Sequence, residues 1–438
     1  MSTTTDVIVI GAGFAGLTAA RELTQQGRTV RILEARDRIA GRTWVENRMG
    51  RNLELGGTWV HWVQPHVWAE MTRYGIGVIA GPEFEKAYWW ADGQRHEGPA
   101  ERVLEIIDEP NKRLLEQTRE LIPLPYQPLT NPAVKGVDHE SVAARIDALQ
   151  LDEEARQLLR TFWSLNFNGK IEDAAFTQAL RWCSAASGDW MLMFEACATY
   201  KVQGGTVALA EAILADTTAD LHLNTAVRRV EQNNDGVTVT TADGATHSAK
   251  AVIVTLPLNA LGTVEFSPAL SEGKQAAASR GQAGLGAKVW IKVKGKWDRF
   301  VAFGAEDWPI NFVQSEYFDE DTTTLVAFGP DGNAVDVEDR DATQAVLEKL
   351  VPGIEVLEIT GHSWVGDEYA KSTWPMHYTG YLSESLEEMQ RPEGNVFLAG
   401  SDYANGWGGF IDGAIESGLT TARSVAAKVE QNKAQAAI

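Results

Sequence analysis

Three glycines in Gly11-Ala12-Gly13-Phe14-Ala15-Gly16 stand directly after the apolar run Val7-Ile8-Val9-Ile10 and open a helix-like stretch that ends at Gly27. That spacing suits a phosphate. Gly11 permits a tight turn, Gly13 lets a pyrophosphate approach the backbone N–H groups, and Gly16 lets the helix pack closely on the strand. A second strand-like run, Val30-Arg31-Ile32-Leu33, then delivers Glu34, whose carboxylate can accept hydrogen bonds from ribose hydroxyls. Glycines alone are weak evidence. A strand, a glycine turn, a helix and an acid in this order are the signature of a β-α-β unit that binds a dinucleotide.

The residues that follow decide which dinucleotide. Glu34-Ala35-Arg36-Asp37-Arg38-Ile39-Ala40-Gly41-Arg42-Thr43-Trp44 is followed by Leu53-Glu54-Leu55-Gly56-Gly57-Thr58-Trp59. A nicotinamide enzyme has no need of this second stretch. A flavin must be held along its whole length, so Arg38 and Arg42 can supply charge-assisted donors while Gly56 and Gly57 let backbone approach the ring. These runs resemble the N-terminal region of the flavin amine oxidase family, which includes monoamine oxidases, polyamine oxidases and bacterial 6-hydroxynicotine oxidases. The resemblance implies that FAD is held by Gly11, Gly13, Phe14, Ala15, Gly16, Glu34, Ala35, Arg36, Gly41, Arg42, Gly56, Gly57, Thr58 and Trp59.

A second cluster lies near the other end, Asn395-Val396-Phe397-Leu398-Ala399-Gly400-Ser401-Asp402, continuing through Trp407-Gly408-Gly409-Phe410-Ile411. It reads as strand, glycine turn, loop and helix. A helix starting between Gly409 and Ile411 directs free N–H groups and its dipole at an acceptor, and reduced flavin carries negative charge at N1 and C2=O. By resemblance, Gly400, Ser401, Gly409, Phe410 and Ile411 meet the flavin and Asp402 bonds the ribityl chain. Val227 meets adenine through its backbone, and Trp364 joins the cofactor set. Thr373 stands where membrane-bound monoamine oxidases carry the cysteine that tethers FAD, which implies non-covalent attachment here.

The chemistry implied by the resemblance is hydride transfer from the α-carbon of a small primary or secondary amine to flavin N5. It gives an imine, and hydrogen peroxide once dioxygen reoxidises the cofactor. Four residues carry it. Trp374 and Phe410 match two aromatic rings that face each other before the flavin, with Phe410 in place of the commoner tyrosine. Lys288 matches the lysine that holds a water against N5 and assists reoxidation; burial should depress its pKa. Asn166, in Phe162-Trp163-Ser164-Leu165-Asn166-Phe167-Asn168, resembles the asparagine that bonds the pyridine end of a hydroxynicotine. The stretch from Trp59 through His61 and His66 to Tyr74 is similar to the same branch and is expected along the cavity wall, with satisfied structural histidines as the alternative reading of His61 and His66. Alternatives are a dehydrogenase with another electron acceptor, a polyamine oxidase and a hydrocarbon desaturase or isomerase.

These groups need a large scaffold, and 438 residues suggest more than one domain-sized unit. The expected architecture is α/β, a Rossmann-type FAD-binding domain interleaved with an α+β substrate-binding domain, the amine oxidase fold. Segments 1–82, 202–284 and 390–438 are expected in the first and 83–201 and 285–389 in the second. Strands Val227–Val230, Val237–Thr240 and Ala251–Thr255, separated by Asp-Gly turns, read as a β-meander. A formal charge of −21 disfavours nucleic acid and anionic membrane surfaces as partners. No stretch approaches the roughly 20 apolar residues that span a bilayer. Only two cysteines, Cys183 and Cys197, occur, which implies no disulfide framework. The start of the chain shows no basic and apolar leader, so a cytoplasmic enzyme is expected. It needs no metal; its partners are a small amine and dioxygen, with a homodimer suggested by relatives.

Overall fold

The computed structural model describes residues 5–436; residues 1–4, where part of the reading about a leader falls, and 437–438 lie outside the described residues. Thr5–Ile10 is buried along its whole length and runs parallel to Val30–Leu33 on one side and to Thr246–Val254 on the other. A strand covered on both faces reads as a continuous apolar run, which is what Val7 to Ile10 provides. Ile10 pairs with both Leu33 and Val254, so the three strands end level. Gly11, Glu34 and Thr255 are therefore brought side by side in the crevice beyond the carboxyl ends, where open α/β sheets bind ligands.

This first sheet has the order Asp220–His222, Val30–Leu33, Thr5–Ile10, Thr246–Val254, Gly236–Thr241, Val227–Asn233 and Glu265–Ser267, and Val396–Leu398 also pairs with Thr246–Val254. The meander expected from the Asp-Gly turns is present as the antiparallel trio Val227–Asn233, Gly236–Thr241 and Thr246–Val254. A second sheet is built from Val356–Gly361, Ala287–Lys294, Thr322–Gly329, Phe312–Phe318, Phe300–Phe303, Lys86–Ala91 and Gln94–Pro99, in that order. Its pairs are antiparallel except Phe300–Phe303 with Lys86–Ala91.

Strand alternation sorts the second sheet into two faces. Val289, Ile291 and Val293 point into a core shared with Leu347 and Leu350 of the helix Arg340–Leu350. Lys288 and Trp290 point the other way, toward the helices. Register extends this face into rows: Lys288 lies beside Phe328 and then Phe312, and Trp290 lies beside Val326 and then Gln314. Helices Glu153–Phe167, Phe176–Ala185 and Trp190–Ala198 complete the wall opposite.

The helices Phe14–Gln25 and Ile411–Ala436 cross at close range, because a Cβ at Gly418 would stand 2.5 Å from the carbonyl oxygen of Ala15. A backbone atom cannot swing aside, so Gly418→Ala forces the two helices apart. We expect a loss of about 1–3 kcal/mol, the usual cost of overpacking. Urea unfolding should show a lower midpoint with an unchanged slope.

Candidate active site

One long cavity runs from the ends of the first sheet to the space between the second sheet and the helices. Apart from Gly16, Arg38 and Asp402, every residue singled out above for cofactor or chemistry lines it. Gly16 serves packing: a Cβ there would lie 2.1 Å from the Gly11 oxygen. Asp402 is a correction. Its carboxylate is fully buried, accepts from the Leu258 N–H at 3.0 Å and pairs with Arg42 through its other oxygen. It therefore holds Arg42 from behind instead of reaching a ribityl chain. Arg42 also donates to the Thr373 carbonyl at 2.7 Å and to the Ser401 hydroxyl at 3.1 Å.

At the near end, Glu34 accepts from the Ala12 N–H at 2.7 Å and the Arg36 N–H at 2.9 Å, which fixes its carboxylate with lone pairs to spare. Arg36 also faces the cavity and is braced by Asp367 at 2.5 Å. Arg38 does not line it. Its guanidinium donates to the Ile39, Gly41 and Thr43 carbonyls and lies 4.6 Å over the Trp44 ring. Burial, helped by neighbouring Arg36, pushes its pKa down to about 10. It shapes the loop that carries Gly41 and Arg42.

The residues present fit a flavin nucleotide. A Cβ at Gly13 would find no protein atom nearer than the Gly41 Cα at 3.8 Å, so the glycine keeps a cradle open. Trp59 Nε1 is buried on the cavity with no partner among the described residues. The first N–H groups of the helix Ile411–Ala436 have no acceptor within the helix, and Ile411 faces the cavity. Arg36, Arg42 and Arg228 supply positive charge for a pyrophosphate.

Farther in, Lys288 is 3% exposed and donates to the Gly56 carbonyl at 2.9 Å and the Thr58 hydroxyl at 2.6 Å. The rings of Trp59, Trp290 and Phe328 lie within 5.0, 5.3 and 6.0 Å of its nitrogen. Burial pushes its pKa down to about 7, although Glu54 and Glu316 favour the charge. Trp374 and Phe410 both line the cavity without touching each other: Trp374 meets Phe328 at 6.2 Å, while Phe410 sits against Trp182 at 5.0 Å and Trp407 at 5.1 Å. Trp374 Nε1 donates to the Asn166 carbonyl at 3.0 Å, which ties this ring to the helix Glu153–Phe167. The Asn166 side chain faces the cavity.

Beyond Trp59 the stretch leaves the cavity, for neither His61 nor His66 lines it, and both take the alternative, structural reading. His61 is buried against Tyr200 at 5.4 Å, and burial lowers its pKa. His66 bonds Asp412 at 3.1 Å; burial opposes its charge, but Asp412 outweighs that and raises the pKa. Both are structural. Sequence reasoning passed over Phe312, Gln314 and Phe328, Asn168 with both side-chain polar atoms buried and unpaired, and Cys197 as part of the wall. Their only signal is register on the face that carries Lys288 or helical spacing from Asn166.

Comparison with known proteins agrees with this geometry. The profile of the flavin containing amine oxidoreductase family matches residues 14–426. A pseudooxynicotine dehydrogenase from Pseudomonas sp is 37% identical, covering 98% of this chain and 88% of its own. A nicotine dehydrogenase from Pseudomonas putida is 36% identical over 96% of this chain and 88% of its own. The (S)-6-hydroxynicotine oxidase of Paenarthrobacter nicotinovorans is 30% identical over 94% and 97%. Cyclohexylamine oxidase from Brevibacterium oxydans shares the fold, with a TM-score of 0.82 at 21% identity over 98% of this chain and 100% of that one.

Glu34→Ala removes the acceptor of two backbone N–H groups and the carboxylate offered to a ribose. Hydrogen bonds to a charged group contribute about 1.5–3 kcal/mol, so flavin should be retained at least about tenfold less tightly. Flavin absorbance of the filtrate after ultrafiltration measures the loss.

Proposed function

We propose that this chain, which belongs to the flavin-containing amine oxidoreductase family, oxidises a small, uncharged monoamine with a cyclic or aryl body at the carbon next to nitrogen. It is a flavin-dependent oxidoreductase acting on CH–NH groups. The bound FAD supplies the hydride acceptor. The observation that carries the finer reading is the charge of the wall: among the described residues Glu34, at the ribose end, is the only carboxylate on the cavity, against Arg36, Arg42, Arg228 and Lys288.

A site without carboxylates disfavours an ammonium and so lowers the pKa of a bound amine. The neutral amine keeps the lone pair that stabilises a developing iminium. A polyamine would bring further cations with nothing to pair them, which argues against that reading. Trp374 and Phe410 bound the slot, Lys288 holds its proton donor at the Gly56 and Thr58 oxygens, and Asn166 presents its amide. A pyrrolidine alkaloid such as 6-hydroxynicotine suits these walls, and three relatives carry nicotine-type compounds in their names.

The cofactor is held without a covalent bond on this reading. Thr373 is fixed by the Gly284 carbonyl at 2.9 Å, and Cys197, the one thiol on the cavity among the described residues, is pushed by burial up to about 12, far from a thiolate at neutral pH. We assign 1–82, 202–284 and 390–438 to the cofactor domain and 83–201 and 285–389 to the substrate domain, a division supported by the segments that build the two sheets. Two free cysteines among the described residues support a cytoplasmic setting. Dioxygen is our first choice of final acceptor, on the placement of Lys288. The second reading, another acceptor, is favoured by the word dehydrogenase in the names of relatives at 37% and 36% identity.

Anaerobic mixing with a panel of cyclic, aryl and polyamine substrates, followed by air, tests these points. We expect monoamines to bleach the flavin and polyamines to leave it yellow; bleaching by polyamines alone would overturn the substrate reading. Rapid return of colour with hydrogen peroxide identifies dioxygen as acceptor, and a flavin that stays bleached in air identifies another.

Lys288 adds a pH dependence. Its ammonium is present below its folded pKa of about 7 and is lost as pH rises through it. A cation favours electron transfer to dioxygen, so reoxidation should slow with rising pH around that value, and Lys288→Met should slow it throughout and flatten the profile. Stopped-flow reoxidation across pH 6 to 9 in the two proteins, with 6 and 9 chosen as about one to two units either side of that pKa, is the measurement.

A further inference from the structure

The far end of the cavity carries a polar device that the chemistry at Lys288 does not use. Lys201 pairs with Glu316, whose side chain is completely buried, and reaches the Tyr317 hydroxyl at 3.4 Å. Burial works against the Lys201 charge, but Glu316 and Tyr317 more than restore it. One Glu316 oxygen accepts from the Lys201 ammonium, and the other is left as an acceptor. Its second oxygen is 2.9 Å from Gln314 Nε2, so the Gln314 amide must turn its nitrogen toward Glu316. The amide oxygen is left on the other side. Gln314 lines the cavity, and Oε1 receives no hydrogen bond among the described residues.

Asn166 is oriented by the same logic. Its Nδ2 donates to the Phe162 carbonyl one helical turn back, at 2.7 Å, which leaves Oδ1 as the open end. Register places Gln314 two strands from the strand of Lys288, or about 10 Å across at the usual strand spacing of about 4.8 Å. That distance is the reach of an arylalkylamine or of two linked rings. We propose that Gln314, locked by the Glu316–Lys201 pair, is a further acceptor, on the same cavity as the Asn166 that the resemblance places at the ring end of a ligand, and that it selects amines bearing a hydroxyl or N–H donor remote from the reacting nitrogen.

This rests on the amine-oxidising reading above and adds the substrate class. A buried carbonyl without a donor is costly, so a ligand that brings one is favoured over a ligand of equal shape that does not. An ether or a bare ring leaves both oxygens unpaired. Gln314 is thereby a specificity residue, and Glu316 and Lys201 are positioning residues that act through it.

The test uses the flavin-loaded enzyme and anaerobic bleaching rates with matched amines: 6-hydroxynicotine against nicotine, and tyramine against phenethylamine and its 4-methoxy analogue. In the native protein the hydroxyl-bearing member should be preferred by about tenfold, one unsatisfied hydrogen bond's worth. Gln314→Met should bring the ratio to within about twofold. The ratio is the readout, and the flavin spectrum reports that the variant is folded and loaded. The paired change Lys201→Met with Glu316→Gln removes both charges together, frees the amide to turn and should also shrink the ratio. If amines bleach the flavin but the native enzyme shows no preference, or the preference survives Gln314→Met, the subsite is wrong while the function stands. If no amine bleaches the native flavin, the functional reading itself fails.

Discussion

Three consecutive backbone carbonyls tie the two halves of the site together. The oxygens of Glu54, Leu55 and Gly56 accept hydrogen bonds from Trp290 Nε1 at 2.8 Å, Trp364 Nε1 at 2.9 Å and Lys288 Nζ at 2.9 Å. Buried carbonyls must be paired, and here each has a partner from the second sheet or the loop that follows its edge strand, with Gly56 also accepting from the Thr58 hydroxyl at 3.0 Å. The loop is closed on its other side by Gly57 N–H to the Arg42 carbonyl at 3.1 Å and Leu55 N–H to the Trp44 carbonyl at 2.7 Å. No side chain fits at position 56, where a Cβ would stand 2.0 Å from the Arg42 oxygen and 2.9 Å from the Trp364 ring. The stretch that the sequence offers for the flavin ring is thus held in place by the sheet that carries Lys288.

That tie explains the state of Lys288. An ammonium in an apolar pocket is unstable unless paired, and its direct partners are a carbonyl and a hydroxyl, both uncharged. Glu54 lies behind the loop with its carboxylate spent on the Thr206 N–H at 2.6 Å and hydroxyl at 2.8 Å, and burial raises its pKa. Glu316 is spent on Lys201 and Gln314. The two carboxylates that act on Lys288 are therefore turned to structural partners, and among the described residues none lines the cavity beside it. The same economy appears at Asp402, which is buried behind Arg42. Acids position cations and amides in this protein, and the cavity meets the positioned groups.

How much of this was legible follows from what a sequence encodes locally. The glycine turn, Glu34 and the start of the closing helix at Ile411 depend on neighbours within a few residues, and the structure places them along one cavity. The meander was legible because Asp-Gly turns mark hairpins wherever they occur. Asp402 was misread because the direction of its carboxylate depends on Arg42, 360 positions away. His61 and His66 stayed open between a wall and a structural reading because their partners, Tyr200 and Asp412, come from distant segments. Gln314 was invisible for a different reason: its strand is apolar or polar without a motif, and only pairing with Val326 beside Trp290 reveals that it shares a face with Lys288.

That shared face has a consequence for how such a site changes. Lys288, Phe328 and Phe312 form one row, and Trp290, Val326 and Gln314 form the next, a step of two residues along each strand. The first row sits where the loop carbonyls fix the reacting end, and any change there disturbs the tie to Gly56. The second row is free of that tie except at Trp290, so Gln314 and Val326 can vary while the reacting end keeps its geometry. On the roles proposed for Lys288 and Gln314, a scaffold that separates the two rows by one step of the pleat can keep its fold while the ligands it selects diverge.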